Sequence, residues 1–376
     1  MLSFNITDDL TKKLKEITDL SAEKRAFLDT LSPDHQQSIH RYALISTIGS
    51  TTRIENAILT DVEIDWMDEM LSQDGRPTAF IQKKKYIENK LSKESERSVE
   101  EVAGCRNMLT IVYAQARELF PLSETTVRGL HAELLRFYPP AAHYLGKYKT
   151  SPNSVIEMIL GTNTVKDVLK TADPGPVTIA AMHELIDWYN ANLKAHPWSI
   201  AVACELVFRF LAIHPFQDGN GRIGRSLFAL AILQSDDKNL AGIMPYIALD
   251  RHIEKNKEEY YLVLRKCSKG RFLQDPKKYK IEYFLTFMLK MISAALRHDI
   301  EFYARRYDDF LSLAEAPRKV LACFKEHPEE KLGTGDVVKY TKIPRRTAVY
   351  ALNILLEERF LQKKGKGPAT KYQLIF

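Results

Sequence analysis

The sequence predicts an all-α domain carrying one small β-hairpin, followed by a smaller α+β unit. Three observations lead there. A 3.6-residue apolar period dominates as far as about residue 316. One stretch, Gly146 to Ile179, breaks that period with three prolines, three glycines and short β-branched runs. Beyond Pro317 the pattern changes to a short helix, a longer helix and two short strands.

In the first domain, Met182, Leu185, Ile186 and Tyr189 recur at i, i+3, i+4 and i+7, marking one face of a helix. The segment WSIAVACELVFRFLAI is apolar nearly all round, with only Glu205 and Arg209 polar after Ser199, which predicts a buried central helix. Those two lie i and i+4 apart with the acid first, the favourable order for a helical ion pair. RSLFALAILQ continues as a second buried helix, so residues 214–225 form the loop between them. The segment 146–179 reads as an irregular excursion holding a hairpin. A boundary is expected near Ala314 to Pro317. In the tail, DVVKYTKI and IPRRTAVYALNILLEERF are helix candidates, the second with Ala348, Leu352, Leu355 and Leu356 on one face. FLQKK and TKYQLIF are strands flanking the turn GKGPA. Helix, turn, helix and hairpin in that order describe a winged helix-turn-helix. The expected organisation is an N-terminal helical region over 1–110, a core over 111–295, a helical linker over 296–316 and the winged unit over 317–376.

Bulk properties narrow the class. A chain of 376 residues, 45% hydrophobic and 27% charged, is an ordinary globular protein long enough for two or three domains. The charged N-terminus MLSFNITDDLTKKLKEITDL has no leader-like apolar core, and Lys290 interrupts the most apolar run, so no membrane partner is expected. Cys105, Cys204, Cys267 and Cys323 are scattered without a C-x-x-C, which predicts buried thiols and a reducing cytoplasm. The net charge of +6 belongs to the tail: from Pro317 onward thirteen Lys or Arg face six Asp or Glu.

The stretch HPFQDGNGRIGR, His214 to Arg225, carries the chemistry. It satisfies G-x-G-x-x-G, but a dinucleotide site needs a strand before the glycines and a long helix stands there. It comes within one residue of a P-loop, but the strand is again missing and Arg225 replaces the compact lysine. A third reading uses every residue. Gly219 and Gly221 let the backbone gather N–H groups into an anion nest, and the helix starting there adds its positive end. Arg222 and Arg225, three apart, project toward the same phosphates. Asp218 makes sense in so cationic a spot as a ligand for a divalent metal. His214, with a side-chain pKa near neutrality, suits a general base.

The stretch resembles the Fic family signature HPFx(D/E)GNGRxxR at every defined position. The resemblance implies an all-α Fic fold with a hairpin flap, and an enzyme that transfers AMP from ATP, with Mg²⁺, to a hydroxyl side chain of a target protein. It implies His214 as the base, Phe216 as the anchor of the loop and Asp218 as the metal ligand. Gly219, Asn220, Gly221, Arg222 and Arg225 would bind the phosphates, with Arg225 at the γ end. HIEKNKEEYYLVL resembles the segment that encloses adenine, making Asn256 and Tyr260 candidates there. The segment 146–179 falls where family members carry the flap that clamps the target as an added strand.

Upstream, Thr51-Thr52-Arg53-Ile54-Glu55-Asn56 resembles the (S/T)xxxE(G/N) motif with which some Fic proteins restrain themselves. A carboxylate reaching Arg225 would neutralise the γ-phosphate site. Some members with this glutamate also use it to place a water and remove AMP. In the tail, Arg345 and Arg346 open the recognition helix and Lys363, Lys364 and Lys366 lead into the wing, which fits duplex DNA as partner, or else a protein-docking domain with a solvated basic face. Two alternatives follow: a nucleotide-sensing, DNA-binding regulator, or a Fic enzyme moving another nucleotide or phosphate-containing group. The resemblance also allows a homodimer, although the sequence locates no interface.

Overall fold

The computed structural model describes residues 1–72, 79–91, 96–158, 165–328, 330–365 and 367–376. Lys366 lies outside them. In chain order the principal elements begin with helices α1 (Asp8–Thr30), α2 (Pro33–Ile54), α3 (Asp61–Ser72), α4 (Ala79–Lys90), α5 (Glu96–Gln115) and α6 (Glu124–Leu134). Strands β1 (Ser154–Met158) and β2 (Val165–Lys170) lead to α7 (Pro176–Asn192), α8 (Ser199–Ile213) and α9 (Asn220–Gln234). Then come α10 (Lys238–Ile243), α11 (Leu249–Lys255), α12 (Lys257–Ser268), α13 (Glu282–Ser312), α14 (Glu315–Lys325), α15 (Thr334–Thr341) and α16 (Arg345–Glu357). Strands β3 (Leu361–Lys364) and β4 (Lys371–Leu374) close the chain. Two compact units result: residues 1–57 with 100–300, and residues 58–99 with 301–376. The expected N-terminal region over 1–110 is thus shared between them.

The first unit is built round α8. Every residue of that helix is buried, as its all-round apolar composition requires. The predicted face of α7, Met182, Leu185, Ile186 and Tyr189, is buried as well. Arg209 reaches Glu205 at only 3.5 Å and Glu184 at 2.8 Å, so the stronger ion pair is made between helices rather than within α8. The irregular segment folds into the antiparallel pair β1–β2, with a register shift between Val155 and Ile156. All four cysteines are buried and free. Among the described residues no helix is long and apolar enough to cross a membrane.

The second unit has its own core, in which Val320 and Phe324 of α14, Val337 of α15, Leu352 and Leu355 of α16, and Tyr372 of β4 pack together. β3 and β4 pair antiparallel, Leu361 opposite Leu374, and Leu332 adds a bridge to Tyr372. On α16 the buried stripe is Ala348, Ala351, Leu352 and Leu355. Leu356, which the sequence pattern put on that face, is only partly buried, since it lies at the edge of the stripe that Ala348, Ala351, Leu352 and Leu355 form. That phase is measurable by urea unfolding of the whole chain. Leu352→Ala is expected to cost roughly 2–4 kcal/mol through the cavity it leaves, and Leu356→Ala distinctly less.

Candidate active site

The loop between α8 and α9 holds itself in shape before any ligand arrives. His214 ends α8 in the left-handed region, with φ 53°. Gly219 stands before α9 with φ 80°, which an L side chain rarely adopts. Between them Phe216 is fully buried and stacks on His131, ring centroids 4.0 Å apart and planes within 7°. The Asn220 side chain fastens the turn, its Oδ1 accepting from the Phe216 N–H at 2.9 Å and its Nδ2 donating to the Phe216 carbonyl at 2.7 Å. His131 accepts at Nδ1 from the Gly146 N–H at 3.0 Å, so its ring proton sits on Nε2, 3.1 Å from the Asp218 carbonyl. Burial keeps this imidazole neutral, its pKa lowered to about 4.

His214 is held in the complementary tautomer. Its Nδ1 lies 3.3 Å from the Leu211 carbonyl, and because a carbonyl can only accept, the proton belongs on Nδ1. Nε2 is left with its lone pair. Burial, with the nearby Lys149 ammonium, lowers the ring's pKa to about 4, so it is neutral at physiological pH.

Helix α2 brings the opposing charge. Asn56, with φ 70°, terminates the helix in the left-handed region, its N–H donating to the Arg53 carbonyl at 2.9 Å. Glu55 is thereby fixed as the C-cap residue, where the negative end of the helix dipole disfavours a carboxylate. Arg225 supplies the compensation. Its Nη2 donates to Glu55 Oε1 at 2.9 Å and to the Thr51 carbonyl at 2.8 Å, and its Nε donates to Thr51 Oγ1 at 2.8 Å. Asp250 of α11 stands 3.6 Å from the same Nε. Burial pushes the Glu55 carboxyl upward, but Arg225 and then Arg222 outweigh it and hold the pKa below the ordinary carboxylate value. Both ends of the motif Thr51 to Asn56 therefore act on this pair, Thr51 by gripping the guanidinium and Asn56 by stopping the helix.

Glu55, His214, Asp218, Gly219, Asn220, Gly221, Arg225 and Tyr260 line one cleft of about 200 Å³, with Ser154, Val155 and Ile156 of β1 along its side. Three expectations change here. Arg222 does not project beside Arg225 into the cleft. It is 2% exposed and lies behind the loop, 3.3 Å from Asp218 and 3.6 Å from Glu101. Residues three apart lie on the same side of a helix, but the Asp218 and Glu101 carboxylates hold this one inward. Asn220 spends its side-chain amide on Phe216, leaving a phosphate its backbone alone. Asn256 is not among the lining residues; it caps α12, and its Nδ2 donates to the His252 carbonyl at 2.8 Å.

A divalent metal fits in one mode only. Among the described residues no cluster of three or more His, Cys, Asp or Glu could cage an ion. Asp218 is half-buried at the cleft, and one carboxylate completed by phosphate oxygens and water is the usual manner of holding Mg²⁺. In the tail, Arg345 and Arg346 are exposed in the first turn of α16, and Lys363 and Lys364 are exposed on β3.

Several residues of this site escaped sequence reasoning. Lys149, Asn153 and Thr171, which hold the loop from behind, lie 40 or more positions from it and match no motif. His131 and Asp250 read as ordinary helix residues. The one available signal was the break in helical period over 146–179, which marked the segment but not its side chains.

Gly221 tests the closeness of the two elements. A Cβ placed there would meet Glu55 Oε1 at 2.1 Å and Arg225 Nη1 at 3.2 Å. Gly221→Ala is expected to destabilise the chain by roughly 1–3 kcal/mol as an overpacked site. Combined with Glu55→Ala it should cost much less than the two single substitutions added together. Thermal melts of the four members of this cycle measure that coupling.

Comparison with known proteins agrees with the loop. Residues 121–232 match the Fic/DOC family model. A Fido domain-containing protein of Dictyostelium discoideum is 31% identical over 98 residues, which cover 23% of this chain and 65% of that protein. The match thus spans just under two thirds of that relative's length. Among solved structures, a Fic family protein from Desulfovibrio desulfuricans G20 aligns over 100% of this chain and 98% of its own, with TM-score 0.54 and 20% identity. A Fic domain containing signaling protein from Bacteroides thetaiotaomicron VPI-5482 covers 78% of this chain and 97% of its own, with TM-score 0.54 and 21% identity. A glutamate-to-glycine variant of Fic-1 from C. elegans covers 77% of this chain and 72% of its own, with TM-score 0.53 and 18% identity. Loop signature, family match and helical fold coincide over residues 121–232, the part of this chain that matches the Fic/DOC family model.

Proposed function

We propose that this chain is a protein adenylyltransferase that moves AMP from ATP to a Ser, Thr or Tyr hydroxyl of a target protein, and that Glu55 restrains it. The observation that carries the reading is the Glu55 carboxylate seated against Arg225 and Gly221, where an anion occupies the loop's own cradle beside a neutral histidine.

The steps follow from that arrangement. His214 takes the proton of the target hydroxyl on Nε2, the hydroxyl oxygen bonds to the α-phosphorus, and the bond to the pyrophosphate oxygen breaks. The product is a phosphodiester joining AMP to the side chain, with pyrophosphate as leaving group. A base with pKa about 4 is weak, and the negative triphosphate brought beside it raises its affinity for the proton. Backbone N–H groups at the start of α9 hold the α-phosphate, and Arg225 takes the γ end once Glu55 has left it. Asp218, with the phosphates, would hold Mg²⁺, which would supply charge neutralisation at the pyrophosphate. Tyr260 lines the cleft and is the better of the two adenine-side candidates. Glu55 in place keeps the triphosphate from its reactive alignment, a misplacement that costs on the order of 10²-fold in rate.

Transfer of label from α-phosphate-labelled ATP with Mg²⁺ tests the whole reading. Glu55→Gly is expected to label protein on the order of 10²-fold faster than the unaltered chain. Adding His214→Ala should lower that rate by roughly 10²–10⁴-fold. Tight ATP binding without any label from Glu55→Gly would point instead to a nucleotide-sensing regulator.

For the C-terminal segment the second proposal is a winged helix-turn-helix that binds duplex DNA. Its support is the exposure of Arg345, Arg346, Val349 and Tyr350 on α16, next in sequence to the basic strand β3. Two arginines in the first turn oppose the helix dipole, a placement that a phosphate partner rationalises. The whole chain is expected to retard duplex DNA with an affinity that falls steeply with salt, and Arg345→Ala/Arg346→Ala should reduce the slope of log K against log salt by about 2. Absence of binding at low salt would assign this face to a protein partner.

A further inference from the structure

The loop bearing His214 is held from behind by two residues at the base of the hairpin. Lys149 is 3% exposed. Its ammonium donates to the Ile213 carbonyl at 3.0 Å, to Asn153 Oδ1 at 2.8 Å and to Thr171 Oγ1 at 2.9 Å. Its backbone N–H donates to the Pro215 carbonyl at 2.8 Å. Asn153 Nδ2 reaches the His214 carbonyl at 3.4 Å and donates to the Phe216 carbonyl at 2.7 Å. Four successive carbonyls, from Ile213 to Phe216, thus find their donors in Lys149 and Asn153. Thr171, just past the end of β2, joins the same network through Asn153. At the preceding residue the hairpin is tied to the segment after α12, since the Lys170 N–H donates to the Gly270 carbonyl and the Lys170 carbonyl accepts from Phe272.

We infer that Lys149, together with Asn153, is a positioning residue that fixes His214 in its working place and ties that place to the hairpin. The inference rests on the proposed base role of His214 for its catalytic consequence, but not for its geometry. A left-handed residue at the end of a helix has few ways to stay put, and carbonyls left without donors would let the turn relax. The ammonium does a second thing. Burial lowers the imidazole's proton affinity most, the ammonium lowers it further, and the Leu211 carbonyl, Glu55 and Asp218 act in the opposite sense. Lys149 itself has its pKa lowered by burial to about 8, with Asp173 acting in the opposite sense. Because β1 lines the cleft and β2 ends at this network, a strand docked on the hairpin would bear on the histidine through these hydrogen bonds.

The test uses the full chain with ¹³C-labelled histidine. The His214 resonance is identified by its loss in His214→Ala, and its titration is compared in unaltered protein, Lys149→Met and Lys149→Arg. Lys149→Met is expected to move the His214 midpoint upward, and Lys149→Arg to leave it near its original place. In the Glu55→Gly background, Lys149→Met should lower kcat by roughly 10–100-fold with little change in KM for ATP, and Lys149→Arg should recover part of the loss. Should Lys149→Met fail to fold, Thr171→Val removes one acceptor of the ammonium and is expected to shift the midpoint measurably. A folded Lys149→Met protein with the His214 midpoint and line shape unchanged overturns the inference. If Glu55→Gly transfers no AMP, the proposed activity fails, and the NMR titration still decides the positioning role.

Discussion

Much of the site depends on one buried cation. The Arg225 guanidinium, 3% exposed, is held by Thr51 and Glu55 of the α2 end and faced by Asp250 of α11. A guanidinium cannot shed its proton to escape burial, so this charge has to be met by an anion at all times. Stripping a partner from a buried pair costs about 3–5 kcal/mol. Withdrawal of Glu55 and arrival of another anion are therefore expected to be coupled, and neither is favourable alone. On the proposed reading this makes restraint by Glu55 and binding of the γ-phosphate two occupancies of one electrostatic site. The neighbouring clasp has the same character: Arg53 meets Glu254 of α11 through Nε at 2.7 Å and Nη2 at 3.0 Å. Helix α11 thus meets the end of α2 directly, through Glu254 on Arg53, and faces with Asp250 the α9 residue Arg225 that holds Thr51 and Glu55.

The loop's rigidity comes from paired, oppositely polarised groups. Asn220 closes the turn from within, His131 supports Asp218 from one side, and Lys149 with Asn153 holds the other. Each uses both a donor and an acceptor, or several donors, so the carbonyls of residues 213–216 have donors before any ligand arrives. Such preorganisation places the cost of ordering in folding rather than in binding. It also explains why the two histidines of this site differ. His131 has both ring nitrogens bonded to backbone, while His214 has one bonded and one facing the cleft side.

Local pattern made much of this legible. The burial of α7 and α8, the hairpin within 146–179 and the order of elements in the tail follow from periodicity and turn residues. The twelve-residue loop was readable because all its parts are contiguous. What sequence could not place were directions and distant partners. Arg222 and Arg225 share a spacing that suggests one target, yet the Asp218 and Glu101 carboxylates pull the first away. Leu356 and Ala351 stand about 140° apart on the helical wheel, and the buried stripe of α16 is centred so that Ala351 falls inside it and Leu356 at its edge. Lys149 belongs to no motif, and nothing near it in the chain reveals the carbonyls of residues 213 and 215.

Gly221 shows why a loop built for an anion is also open to restraint. Its missing Cβ leaves the space now filled by Glu55 Oε1, beside the Arg225 guanidinium. A nest of backbone N–H groups and a guanidinium do not distinguish a carboxylate oxygen from a phosphate oxygen of similar size and charge. What differs is tethering. The carboxylate belongs to the same chain and is fixed by the helix stop at Asn56, so its effective concentration does not fall on dilution. On the proposed reading a free nucleotide would compete against that, and the glycine that would admit phosphate would admit the restraint as well. Replacing Gly221 to exclude one would exclude the other, so selectivity between them has to be set at α2, through the residues that hold Glu55 forward, and not in the loop.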